Sequence, residues 1–269
     1  MRWPEQSQKT AVHAAAGAER QNIREVSALK IRIRFRKYGV MKFVGHLDIM
    51  RYFQKCMRRA GIDIAYSQGF SPHQLMSFAA PLGVGITSDG EYLDIEVNAA
   101  KSSEESLRAL NEVMVEGMEA VSYRRLKDTD KKAMSAVAAA AYQVSLKEGY
   151  EAPDADYEAA IEAFYHKPEE ILITKQTKKS EKILDLKKLV YDFRVQIEQH
   201  SPVFYLKLSA GSVDNVKPEI VLSAFYRFLG ESFDPLSVQI HRLDVYGETD
   251  GGFFSLGDAG EEITAINNE

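Results

Sequence analysis

The sequence predicts an α+β fold of two tandem ferredoxin-like (βαββαβ) units with antiparallel sheets. Three observations carry this: strand-like alternation that gives way repeatedly to helical spacing, helix-capping signals at the changes, and Gly or Pro breaks between segments. The first strand is the clearest element. Leu29, Ile31, Ile33 and Phe35 alternate with Lys30, Arg32, Arg34 and Arg36, so one face is apolar and the other wholly basic. After Gly39 a helix is expected from about His46 to Ala60. Its apolar stripe is Leu47, Met50, Phe53 and Met57, and Gly61 suits a left-handed cap. Short extended pieces follow at 62–66 and 76–80, with the loop Ser67–Pro72 between them. Pro81, Gly83 and Gly85 then break the chain before a strand from Tyr92 to Val97. Ser102 and Glu105 form a capping-box signature for a helix to about Val115, and a strand over 119–126 completes the first βαββαβ order.

The second half repeats the order more loosely. Strands are expected at 142–147, 170–177, 193–198, 203–209 and 238–246. Helices are expected from Asp154 to Tyr165, briefly at 185–191, where one interrupts the repeat, and from Pro218 to Leu229, closed by Gly230. The organisation predicted is a flexible leader (1–28), a first unit with a basic face (29–130), a second unit (131–246) and a loose acidic tail (247–269).

Composition narrows the chemistry. Hydrophobic residues make up 45% of the 269, enough for a sizeable core. The single cysteine, Cys56, allows no intramolecular disulfide and cannot supply the several thiolates of an iron–sulfur cluster. Six histidines without paired cysteines argue against a structural zinc site, so no metal and no cofactor are expected. No secretory signal and no apolar run of bilayer-spanning length is visible, so a cytoplasmic protein without a membrane partner is expected.

Charge is unevenly spread. Between Lys30 and Arg59 there are ten Lys or Arg against one acid, Asp48, a net of +9; with −5 for the whole chain, the remainder carries −14. A basic sheet face of this kind suits phosphate backbones, and Arg32, Arg34, Lys37, Arg51, Arg58 and Arg59 are the candidate nucleic-acid contacts, with Tyr92 and Tyr123 as the aromatic candidates. The competing reading is structural: Asp94 and Glu96 on the neighbouring strand would face Arg32 and Arg34 and neutralise them as an ion-pair lattice.

A second constellation joins Gly45-His46-Leu47-Asp48 to Tyr66-Ser67-Gln68-Gly69-Phe70-Ser71-Pro72-His73. His46 falls at a helix start, where the dipole favours a neutral imidazole able to act as a general base. His73 sits in a loop whose Gly69 permits close backbone approach and whose Ser67 and Ser71 offer hydroxyls. His46, Asp48 and His73 are thus candidate catalytic residues, and the two histidines could share a metal-ligand role. The alternative is that His46 caps its helix and His73 stabilises a tight loop. Ser209-Ala210-Gly211-Ser212 is a small-residue turn that could seat a phosphate but lacks the GxxxxGK[ST] pattern, and His241-Arg242 reads as structural.

These residues resemble the radical-SAM-linked protein family, a domain of unknown function. The matching run is Arg32-x-Arg34-Phe35, Lys37-x-Gly39, Phe43-x-Gly45-His46-Leu47-Asp48, Arg51, Arg58-Arg59, Tyr66 to His73, Ser77-Phe78, Pro81-Leu82, Gly85 and Glu91-Tyr92-x-Asp94, with looser agreement at Leu208 to Gly211 and His241-Arg242. Leu75-Met76 depart from the pattern, which often has a basic residue before Ser-Phe. The resemblance implies a protein encoded beside, or fused to, a radical SAM protein, in neighbourhoods with RNA-processing and ribosomal genes. The function expected is a non-catalytic accessory protein of a radical SAM enzyme, associated with RNA modification or processing, whose partners are that enzyme and RNA. The alternatives are a metal-independent RNA-processing enzyme using His46 and a module for protein interaction only.

Overall fold

The computed structural model describes residues 28–176, 181–211 and 214–264, so the expected leader and the last five residues lie outside the described residues. The alternating run forms strand β1 (Leu29–Lys37), whose Ile31, Ile33 and Phe35 are buried. A 3-10 turn (Gly39–Phe43) leads into helix α1 (His46–Arg59). α1 buries Ile49, Phe53, Cys56 and Met57, a helical-period stripe packed on β1. Leu47, expected in that stripe, is instead exposed; the buried face is rotated toward Ile49 and Cys56. The helix ends as expected. Gly61 takes φ +66°, the Ile62 N–H donates to the Met57 carbonyl and the Gly61 N–H to the Arg58 carbonyl, a Schellman cap.

Strand β2 (Met76–Phe78) precedes the long strand β3 (Thr87–Val97). Helix α2 (Ser103–Val113) starts on the expected capping box of Ser102 and Glu105 and is followed by strand β4 (Met118–Arg125). After a short helix α3 (Ala133–Ala136) come strand β5 (Val137–Leu146) and helix α4 (Tyr157–Ile161), which continues as a π-helical turn through His166. A hairpin of β6 (Leu172–Gln176) and β7 (Glu181–Asp185) and the short helix α5 (Leu186–Leu189) lead to β8 (Val190–Glu198) and β9 (Ser201–Ser209). Helix α6 (Pro218–Phe228) has the expected proline in its first turn, and β10 (Val238–Thr249) follows.

With β11 (Gly252–Ser255) and β12 (Glu261–Glu262), the fold is mixed α/β around one ten-stranded, mostly antiparallel sheet in the order β12-β4-β1-β3-β10-β5-β9-β8, with β2 also paired to β3 and β11 to β10; β6 and β7 form a separate two-stranded sheet. The halves are therefore not separate sheets. They join where Thr87 and Ser88 of β3 pair in parallel with His241 and Arg242 of β10, which is why β3 begins five residues before the expected start. Gly90 permits the close approach: a Cβ there would lie 2.7 Å from the Asp244 Cα. Each half keeps its own apolar cluster, one around Phe35, Phe53 and Leu110, the other around Phe164, Phe193, Phe204 and Phe225.

The expected loose acidic tail is a correction. Residues 252–262 form β11 (Gly252–Ser255), a 3-10 turn (Leu256–Asp258) and β12 (Glu261–Glu262), a strap tied to the sheet. Fully buried Leu256 anchors it, the Arg124 guanidinium donates to the Ala259 and Gly260 carbonyls, and Glu261 pairs with Lys127 at 2.8 Å. Among the described residues no helix is long and apolar enough to cross a membrane.

Candidate nucleic-acid interface

β1 places its arginines opposite the acids of β3, and the register decides their fate. Arg32 faces Asp94, while Glu96 faces Lys30 and Arg34 faces Tyr92. Arg32 is 2% exposed. Its Nε and Nη2 donate to the two Asp94 carboxylate oxygens at 2.8 and 3.0 Å, and its remaining donors reach the Leu256 and Lys131 carbonyls. Arg32 is thus withdrawn from any phosphate. Lys37 is buried as well; its ammonium donates to the Val44 carbonyl at 2.8 Å, and desolvation pushes its pKa down against the attraction of Glu91. Arg34 donates to the Asp89 carbonyl at 3.2 Å and approaches the Asp244 carboxylate to 4.0 Å, and Arg36 pairs with Glu119 and Asp89. On this face the strap covers Arg32, while Arg34 and Arg36 are matched by acids yet stay 33% and 45% exposed. Tyr92 and Tyr123 are buried and offer no stacking face.

α1 is different. Arg51, Lys55, Arg58 and Arg59 are all exposed, and with Asp48 as the helix's one acid they give it a net +3. Arg51 pairs with Asp48 at 3.0 Å on a well-solvated surface, where such a pair contributes little. Among the described residues no carboxylate lies within ion-pair reach of Lys55, Arg58 or Arg59.

Beside α1 stands a hairpin. Tyr66 bridges Gln74, and the Ser67 N–H donates to the His73 carbonyl at 2.8 Å. The Ser67 hydroxyl bonds the His73 Nδ1 at 2.8 Å and accepts from the His73 N–H. Gly69 turns the tip with φ +111°, and Ser71 is exposed there. The Gln74 amide donates to the Gln54 carbonyl at 3.3 Å, docking the hairpin on α1. Arg51 and Arg58 stand three and four residues from Gln54, so they share its side of the helix. Phe70, at the tip, is fully exposed. An aromatic ring with no apolar neighbour, in the Gly/Ser loop Ser67-Gln68-Gly69-Phe70-Ser71, is its sequence signal.

The two imidazoles have different surroundings. His46 is the first residue of α1, its ring edge-on to Phe78 at 5.2 Å in a small pocket with Lys37, Leu82 and Glu91. His73 is held by Ser67 in the hairpin, and Asp48 is engaged by Arg51. Among the described residues no three His, Cys, Asp or Glu side chains are placed to hold a metal. Cys56 is buried in the core, which pushes its thiol pKa up. Ala210 and Gly211 line a cleft between the halves, while Ser209 bonds the Asp214 carbonyl.

The fold and this surface define a mixed α/β protein with a basic helix and, docked on it, a hairpin that exposes Phe70. The chain belongs to a bacterial family described as "Uncharacterized protein conserved in bacteria (DUF2344)", whose profile matches residues 30–218. No curated protein matches it. Solved structures with a similar course include a Cbf5-Nop10-Gar1 complex, at 10% identity and TM-score 0.43 over 82% of this chain and 49% of that one. A second is an H/ACA RNP bound to a substrate RNA containing 2'-deoxyuridine, at 10% identity and TM-score 0.40 over 79% of this chain and 46% of that one. The chain spans about half the length of these chains.

Proposed function

We propose that this protein is an RNA-associated, non-catalytic accessory protein that holds single-stranded RNA against α1. The observation that carries the reading is the set of three cations on α1 that, among the described residues, have no carboxylate partner, together with a fully exposed Phe70 on the hairpin that Gln74 docks on that helix. Cations on one helix face give sequence-independent phosphate contact, and an exposed ring gives a stacking platform for a base. Arg51 joins the set, because its solvated pair with Asp48 yields readily to a phosphate. We read each half as a ferredoxin-like unit, since the orders β4-β1-β3-β2 and β10-β5-β9-β8 repeat one pattern.

The partner implied by the resemblance is a radical SAM enzyme. Supporting a docked protein, Val40, Phe43 and Leu47 stand exposed where the 3-10 turn meets α1, a cluster of apolar side chains adjoining the cations. Fluorescence anisotropy with a labelled single-stranded RNA tests the main reading. Phe70→Ala should weaken binding by roughly 1–3 kcal/mol if the ring stacks a base. Unchanged affinity in that variant, or no binding by the intact protein, rejects it. Co-purification of the radical SAM enzyme at high salt after nuclease treatment, lost in Phe43→Asp, tests the partner.

A further inference from the structure

The large sheet ends on β8, and that end is open. β8 pairs with β9 on one side; among the described residues no strand pairs with its other side, and β6 and β7 form a sheet of their own. The Tyr165 hydroxyl donates to the Val190 carbonyl at 2.7 Å, and a bulge shifts the register between Val190 and Asp192. Both features protect only the start of the strand. From Asp192 to Glu198 the ladder with β9 is regular. An edge whose outward backbone N–H and C=O groups are unpaired is a template for a further strand.

The side chains of this stretch complement themselves. Phe193, Val195 and Ile197 lie opposite Leu206, Phe204 and Pro202, on the face that carries the second apolar cluster. Phe193 is fully buried and Val195 packs against the cluster, but Ile197 is 59% exposed. Arg194, Gln196 and Glu198 alternate with these on the opposite face, and all three are exposed. Arg194 pairs with Asp192 at 2.8 Å on a solvated surface, where the pair yields readily to a second carboxylate. Among the described residues no cation pairs with Glu198.

We propose that β8 pairs with β8 of a second copy of this chain, antiparallel about a two-fold axis at Gln196, so that two sheets run on into one. An axis perpendicular to the sheet keeps both helix-bearing faces on one side and sets one residue opposite its own copy. With Gln196 at the centre, Arg194 of each copy faces Glu198 of the other, and Val195 of each faces Ile197 of the other. Opposite charges then meet on one face, and the exposed isoleucine is covered on the other. The alternative registers are worse. Val195 at the centre sets Asp192 against Glu198, and Arg194 at the centre sets two guanidinium groups together. Phe193 at the centre draws in the bulged segment before Asp192 and leaves Ile197 uncovered. Pairing over residues 194–198 is small beside the roughly 1,200–2,000 Å² that stable interfaces bury, so the dimer exchanges with monomer. This self-association goes beyond the RNA reading and does not depend on it.

Sedimentation velocity of the full chain over a concentration series tests this. The weight-average mass should rise from that of one chain toward that of two. Arg194→Glu sets carboxylates opposite each other at both ends of the pairing, and Glu198→Arg sets guanidinium groups there; each should weaken association roughly tenfold. The double variant, Arg194→Glu with Glu198→Arg, restores opposite charges and should associate like the wild type. Gln196→Cys tests the register, because facing residues lie roughly 4.5–5.5 Å apart between Cα atoms, within reach of a disulfide. The native Cys56 is buried, so mild oxidation should link two copies through Gln196→Cys and should link none in Glu198→Cys or the wild type. A single-chain mass at every concentration up to the solubility limit leaves the edge to a strand of another protein and overturns the proposal. So does association that both charge reversals leave unchanged, a double variant no better than the single ones, or Gln196→Cys that stays unlinked.

Discussion

Arg32 and Arg58 look alike in the sequence and do opposite work in the fold. Arg32 is enclosed by Asp94 and two carbonyls, whereas Arg58 reaches water from the last turn of α1. The difference comes from cross-strand register and from the strap, and only half of it was legible. Alternation on both strands placed Asp94 opposite Arg32; the contribution of Leu256, 224 residues away, left no local trace. Asp94→Ala should leave a buried, unpaired guanidinium and cost about 3–5 kcal/mol in urea unfolding. Replacing Arg32 with Met in the same variant should recover much of that loss. RNA affinity should not change in the double variant, because Arg32 never reaches the surface. The histidines were legible as motif residues but not as a pair, since the hairpin hydrogen bond to Ser67 and the ring contact with Phe78 assign them to different neighbours.

At the level of elements, helix ends were the most readable feature, because capping is written in adjacent residues. Gly61, Ser102 with Glu105 and Pro218 all mark the ends they announce. Gly61→Ala forces a Cβ into left-handed backbone and should cost roughly 1–2 kcal/mol by thermal or urea melting. The junction of β3 with β10 was not readable. Parallel pairing between strands 154 residues apart needs a whole fold to bring them together, and its local sign, Gly90, is one glycine among many. Gly90→Ala would drive a methyl group into the Asp244 backbone, and we expect roughly 1–3 kcal/mol of destabilisation from overpacking. α1 was placed to within a residue, yet its buried face was misphased toward Leu47, since hydrophobicity alone does not separate a core residue from an exposed contact.

For the whole molecule, burial of phenols sets the alkaline limit of stability. Desolvation raises the pKa of Tyr123 and Tyr157 to about 12, above the ordinary 10.0. Between those values the unfolded chain has released protons that the native state keeps, so stability falls as pH rises from 10 toward 12. Melting temperature should drop across that window, and Tyr123→Phe should reduce the slope. The charge asymmetry and the βαββαβ order of the first half were legible from the sequence, whereas β7, β11 and β12 were not. The merging of two halves into one sheet and the strap over Arg32 were not, and among the described residues the cations without carboxylate partners lie on α1 while those of β1 are paired. Whether that charge meets RNA is best read from the salt dependence of affinity. Neutralising Lys55, Arg58 and Arg59 to alanine together should lower the slope of log K against log salt for a single strand by about 2, at unchanged fold. A slope identical to the wild type's would contradict the assignment of α1 as the phosphate-binding surface.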